Sequence, residues 1–223
     1  MPHKQNESGP DIPKKRNRST TSTAAILAAA KSLFLEFGYD GVNLEKVAEA
    51  AGVSRQTVYN RFGSKEAVFQ AMIESHWKMI GQNDVQDAGG NASSAQAVLR
   101  KFGDSIIAFV DQADQIAFTR LIISESRRLP WIAEEFYRVG KKPLVTSFAD
   151  CLRQLTRQGL VDCEDPEFAA HQFMGLIQEF AIWPRVMAIG SDAEELAQRQ
   201  DVVDEAVEMF LARYERLKPD GRS

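Results

Sequence analysis

The chain has few of the residues that mark secreted, fibrous or membrane proteins. Among its 223 residues are two cysteines, Cys151 and Cys163, too few for a disulfide framework and typical of a reducing compartment. Its 8 prolines and 14 glycines exclude a collagen-like or low-complexity chain. No run of about eighteen apolar residues occurs, and the polar N-terminus lacks the apolar segment of a secretory signal. These absences predict a cytoplasmic protein without a membrane partner.

Histidine is also scarce, and the three present, His3, His76 and His171, lie far apart in the sequence. No HExxH, GxSxG, P-loop or GxGxxG motif occurs, and neither cysteine has a further metal ligand at zinc-finger spacing. We therefore expect no catalytic residues, no metal and no cofactor.

The charge is unevenly distributed along the chain. Residues 1–65 carry 10 Lys or Arg against 6 Asp or Glu, whereas residues 66–223 carry 17 against 25. A basic head on an acidic body favours contact between the head and a polyanion. Residues 1–19 contain three prolines and a basic run at 14–18, which predicts a disordered basic arm.

Apolar residues recur at helical spacing along the rest of the chain, no strand pattern is present, and the fold is predicted to be all-α. Glycines and capping residues divide the first part into four helices, the fourth covering about residues 64–82, and a loop follows at 83–94. Further helices are predicted at 94–111, 114–127, 131–158 (interrupted near Gly140 and Pro143), 166–183 and 200–217.

Residues 42–69 hold the most informative pattern. Two short helices meet at the turn Ala51-Gly52-Val53, which predicts a helix-turn-helix whose second helix enters the major groove of DNA. With Val58 and Phe62 turned inward, the outer face carries side chains suited to bases and phosphates. The alternative to a DNA-binding surface is an ordinary exposed polar face on a short helix. The predicted DNA-binding residues are Asn43, Ser54, Arg55, Gln56, Thr57, Tyr59, Asn60 and Lys65.

These residues lie within a longer pattern, AAxxLFLEFGYDGVNLEKVAEAAGVS followed by RQTVYNRFGSKEAVF, which resembles the DNA-binding domain of the TetR family of bacterial transcriptional regulators. Asn43 stands where Ser or Thr is usual, and Gln56 where a small residue is frequent, so an additional side chain is expected to reach the bases. The strings SESRRLPWIAEEFY and DPEFAAHQFMGL are more loosely similar to the C-terminal domain of the AefR-like branch.

The resemblance implies a helix-turn-helix domain at 20–66 and a helical effector-binding and dimerisation domain at 67–219. The expected partners are a double-stranded, inverted-repeat operator, a second copy of the chain and an apolar or aromatic small molecule. Candidate pocket residues are Trp77, Phe109, Phe118, Trp131, Phe148, Phe173 and Trp183, although aromatics at such spacing are often simply core. Candidate dimer residues are Phe173, Ile177, Phe180, Val207, Phe210 and Tyr214, of which some must face the core of their own protomer.

The function expected from these features is that of a DNA-binding repressor released by a small-molecule effector. The sequence leaves activation open in place of repression, and it names neither the effector nor the operator. The alternative from another class is a helical architectural or partner-binding protein without a ligand, which would show no operator released by a small molecule.

Overall fold

The structure, a computed structural model, describes residues 15–78, 94–189 and 201–215. These residues form helices and one isolated bridge between Val161 and Glu215, which confirms the all-α prediction. None of the described helices has the length and apolar character needed to cross a membrane. The helices are α1 (Lys15–Phe37), α2 (Leu44–Ala50), α3 (Arg55–Phe62), α4 (Lys65–Lys78), α5 (Ala95–Val110), α6 (Gln115–Ser126), α7 (Pro130–Phe136), α8 (Lys142–Arg157), α9 (Pro166–Ala181), α10 (Trp183–Met187) and α11 (Val202–Tyr214).

Some predicted features lie outside the described residues: most of the basic arm, the end of the fourth helix, nearly all of the loop at 83–94, and both ends of the last helix. The arm differs from its prediction where it is described. Helix α1 begins at Lys15, so the last residues of the predicted arm are helical. Pro13 stands just before this helix in the sequence, and no further proline or glycine occurs before Gly38 to interrupt it.

The chain divides into two compact units, residues 1–72 and 73–223, and the division falls inside α4. The first part of α4 supplies Val68, Phe69 and Met72 to the buried core of the N-terminal unit. There the ring of Phe69 lies edge-on to that of Phe34, with centroids 4.8 Å apart. This core buttresses α2 and α3, which are too short to be stable alone.

The C-terminal unit is organised around stacked aromatic rings from α5, α8, α9 and α11. Phe102 stacks on Phe148 with centroids 3.7 Å apart, and Phe173 lies 5.4 Å from Phe148 and 5.5 Å from Phe210. Gly103 allows α11 to pack closely against α5, because a Cβ atom there would lie 2.5 Å from Val203 Cγ1.

Helix α7 leads into α8 without a break. The interruption predicted near Gly140 and Pro143 is a π-helical turn over Tyr137–Lys141, and Pro143 stands in the first turn of α8. Because proline has no N–H, Pro143 removes one backbone hydrogen bond from this continuous helical run, close to the π-helical turn. Gly140 is buried in the π-helical turn, where a Cβ atom would lie 1.8 Å from Cε2 of Trp77. The glycine therefore makes room for the indole ring.

Candidate DNA-binding and ligand-binding sites

Local hydrogen bonds fix the geometry of the helix-turn-helix. Asn43 caps α2 by accepting a hydrogen bond from the Lys46 amide at 2.9 Å. Gly52 has φ of 65°, and the Val53 amide donates to the Ala48 carbonyl at 3.0 Å, which closes the C-terminus of α2. Ser54 caps α3 through the Thr57 amide at 3.1 Å. Asn43, Ser54 and Thr57 therefore have structural roles whether or not they also contact DNA.

The outer face of α3 is polar and open. Arg55, Gln56, Tyr59 and Asn60 are exposed, Thr57 is half-buried, and Val58 is fully buried. The Gln56 amide donates to Asn60 Oδ1 at 2.5 Å, so these two side chains form one hydrogen-bonded unit. Gln and Asn match the donor and acceptor edge of adenine, and Arg matches guanine.

Two of the predicted cationic contacts are engaged elsewhere in the free protein. Arg55 Nη2 lies 2.8 Å from Glu45 Oε1, in a pair whose side chains are 70% and 48% exposed. Lys65 Nζ donates to the Tyr39 carbonyl at 2.9 Å and lies 4.2 Å from the centre of the Tyr39 ring. An exposed ion pair is easily exchanged for another partner, whereas Lys65 is held by two contacts.

The C-terminal unit contains an apolar cavity of about 190 Å³. Of the aromatic candidates, Trp77, Phe109 and Trp183 line it. Phe118, Phe148 and Phe173 are fully buried away from it in ring-on-ring contacts, and Trp131 is half-buried outside it. The correction has a simple cause: equal spacing on a helix does not distinguish a ring that faces a cavity from one that faces another helix.

Sequence reasoning missed the polar residues of this cavity. Gln115, Thr119, Gln178 and Lys141 line it together with Phe136. Buried Gln115 accepts a hydrogen bond from His76 at 2.6 Å, and its amide nitrogen donates to Thr119 at 3.3 Å. The signal available in the sequence was Lys141 beside Gly140, within an otherwise apolar helical stripe.

Most of the dimer candidates are buried within their own protomer. Phe173, Ile177 and Val207 lie inside the protomer core, and Phe210 and Tyr214 are at most 9% exposed. Phe180 alone of the six is half-buried. The apolar side chains that α9 and α11 expose most are instead Phe168 and Met209, at 58% and 57%.

The described residues contain no group of three or more His, Cys, Asp or Glu placed to hold a metal ion.

Comparison with known proteins finds a matching family model for each of the two units. Residues 26–72 match the family described as bacterial regulatory proteins, tetR family, and residues 97–216 match the C-terminal domain of AefR-like transcriptional repressors. The chain is 24% identical over 182 residues to the HTH-type transcriptional repressor Rv1474c of Mycobacterium tuberculosis, covering 82% of this chain and 90% of that one.

Solved structures agree with this assignment. A TetR-family regulator from Mesorhizobium loti superposes with a TM-score of 0.77 at 28% identity, covering 90% of this chain and all of the other. The flavonoid-responsive regulator FrrA gives 0.74 at 26%, covering 89% and 100%. These relatives are transcriptional regulators, which are not enzymes. The chain belongs to the TetR family of DNA-binding transcriptional regulators, with a C-terminal domain of the AefR-like type.

Proposed function

We propose that the protein is a cytoplasmic homodimeric repressor that binds an inverted-repeat operator through α3 and leaves it when a small molecule enters the cavity. The observation that carries the proposal is the dual use of α4. Its first half contributes Val68 and Phe69 to the core behind the helix-turn-helix, and its second half contributes Trp77 to the cavity wall. FrrA, which is described as flavonoid-responsive, supports ligand control in a similar fold.

The proposed dimer uses the outer faces of α9 and α11. Phe168 and Met209 are exposed there, and Leu176, Phe180 and Met209 line a groove shared by the two helices. Two such helices paired with their symmetry mates form a four-helix bundle with a self-complementary interface. A two-fold dimer presents two α3 helices to successive major grooves, which requires an inverted repeat.

Release of the operator then follows from thermodynamic linkage between effector binding and operator binding. Binding both half-sites requires one separation between the two α3 helices, so an effector that prefers another separation lowers operator affinity by the factor of its own preference. A tenfold loss needs about 1.4 kcal/mol of preference, and a hundredfold loss about 2.7 kcal/mol.

The test is selection of bound sequences from random DNA, followed by a ligand screen for release of the selected operator. We expect the selected operator to be an inverted repeat that at least one compound releases from the protein. If no compound releases the operator, the sensor role is contradicted. The variant Ile123→Trp tests whether release depends on the cavity. Ile123 lines the cavity yet is 47% exposed, so a larger side chain is accommodated there without disturbing the core. Its larger ring should fill the cavity, leaving operator binding intact and abolishing release.

Self-association has a separate test. Met209→Glu places a charge in the exposed groove and is expected to give a monomer in sedimentation, whereas Glu208→Gln, at an exposed neighbouring position, leaves the dimer intact. A wild-type monomer at micromolar concentration contradicts the proposed dimer.

A further inference from the structure

The cavity has room for a small ligand. Its volume is about 190 Å³. A cavity of about 150 Å³ accommodates benzene, whereas sites for drug-sized molecules begin at about 300 Å³. A compound of one or two rings therefore fits.

The shape of the walls favours a flat ligand. Trp77 stacks against Phe109 with ring centroids 5.3 Å apart, and Phe136 lies 5.1 Å from Trp77 at 58°. Aromatic surfaces set at such angles make offset-stacked and edge-on contacts with a further ring.

One polar wall of the cavity, on α6, is already satisfied. Gln115 accepts from His76 and donates to Thr119, and the Thr119 hydroxyl donates to the Gln115 carbonyl at 3.0 Å. This wall therefore holds its own side chains in place more than it attracts a charged ligand.

The opposite situation holds at the π-helical turn. Trp77 is 6% exposed, and its Nε1 has no hydrogen-bond partner among the described residues. The ring lies against Gly140, since a Cβ atom there would be 2.1 Å from Nε1. Lys141, the next residue, lines the cavity, and no described carboxylate pairs with it. The Trp77 N–H is thus enclosed against the turn, and Lys141 is the cation that the turn supplies to the cavity wall.

The charges around this turn favour an anion. Lys141 is the sole charged residue among the described residues that line the cavity. Glu135 on α7 is engaged by Arg138 at 2.7 Å, and Glu74 on α4 lies 3.6 Å from Lys78 and 3.7 Å from Arg138. A cation at an apolar wall, with no carboxylate partner among the described residues, favours an anionic group on the ligand.

We infer that the effector of this protein is a one- or two-ring aromatic acid, with its ring against Trp77, Phe109 and Phe136 and its carboxylate or phenolate oxygen on Lys141. The inference rests on the proposed function, because it assigns the ligand class of the proposed effector site.

The test uses matched pairs of probes that differ in charge and little else: benzoate with benzamide, and 2-naphthoate with 2-naphthamide. Isothermal titration of the full-length protein at neutral pH is expected to show at least one acid binding about tenfold or more tightly than its amide, as is usual for a hydrogen bond to a charged group. If neither acid is preferred, the inference is overturned.

Variants test whether the preference for the acid over the amide comes from Lys141 in the π-helical turn. Lys141→Met should reduce the ratio of acid to amide affinity to about one while the amide binds as before, and Lys141→Arg should restore it. Lys142→Met is the matched control, since Lys142 is exposed and outside the cavity lining. If Lys141→Met still binds the acid more tightly than the amide, the assignment to Lys141 is wrong. Circular dichroism verifies that each variant is folded.

Operator release separates this inference from the function on which it rests. If the acids bind through Lys141 but leave the operator bound, the ligand class holds and the proposed sensor role fails. If the operator is released by neutral compounds and the acids show no preference, the sensor role holds and the ligand class fails.

Discussion

The two units place their functional residues in opposite ways. In the N-terminal unit, the polar face of α3 is built from residues within one short helix, each exposed and fixed by caps at Ser54 and Gly63. In the C-terminal unit, the cavity is assembled from side chains between Trp77 and Trp183, contributed by different helices. The proposed DNA-binding face is thus specified by local sequence, whereas the cavity is specified by the way in which distant helices pack.

The largest effect is expected in the C-terminal unit. Gly140→Ala brings a methyl group into the Trp77 ring and should lower the free energy of unfolding by about 3 kcal/mol, as overpacking a well-filled core does. Gly103→Ala meets Val203 Cγ1 at 2.5 Å and an Ile177 methyl at 3.2 Å, and should cost less because part of its surroundings can yield. Chemical denaturation measures both, and a Gly140→Ala protein as stable as wild type would refute the close packing of the indole ring.

The next effect concerns base discrimination by α3. Gln56→Ala removes an amide that we propose contacts a base, and it leaves Asn60 without its hydrogen-bonded neighbour, so discrimination at one operator position should fall by about 1–3 kcal/mol. The free energy of unfolding should change by less than about 0.5 kcal/mol, because the position is exposed. Binding to the selected operator and to its single-base variants measures this, with Glu49→Ala on α2 as control; an equal loss on all sequences would contradict base reading.

A smaller effect, uniform across sequences, is expected from the phosphate candidates. Tyr59→Phe and Lys65→Ala should weaken binding to all DNA about equally, and the lysine change should lower the salt slope by about one. Lys65→Ala should also cost about 1 kcal/mol of stability, because Lys65 holds the Tyr39 carbonyl and ring. Salt titrations of both variants decide the matter, and wild-type affinity in both would show that α3 docks differently.

The smallest effect concerns the two thiols of the C-terminal unit. Burial raises the pKa of Cys151, and burial together with the charge of Asp165 raises that of Cys163. A raised pKa leaves less thiolate near neutral pH, so alkylation of the native protein should be slow and should quicken as the pH rises. Mass spectrometry after iodoacetamide treatment measures the rate, and rapid labelling at neutral pH would indicate an open C-terminal unit.

The same contrast explains what could be predicted from sequence. The caps at Asn43, Ser54 and Asp165 follow from residue type, because a side-chain oxygen before a helical stripe satisfies a first-turn amide. The inward side of Val58 follows from periodicity. Phe148 and Trp183 have similar sequence signals, yet the first lies in the core and the second at the cavity, since only packing between helices separates them.

The hydrogen-bonding partners could not be predicted for a related reason. Nothing in the sequence indicates that Lys65 is held by Tyr39, or that Trp77 is buried beside a glycine in a π-helical turn. Such contacts join residues far apart in the chain and depend on rotamers that neighbouring side chains select.

The exposed pair between Glu45 and Arg55 has a consequence for how such regulators diverge. In the proposed docking, Arg55 exchanges Glu45 for a guanine, and an exposed pair of this kind is worth at most about 1 kcal/mol. Replacing Glu45 by a neutral residue therefore removes the free-energy cost of separating this pair, and it leaves the Arg55 side chain itself unchanged. Under the proposed docking, preference among competing operators can therefore change through position 45 while the side chains of α3 remain the same.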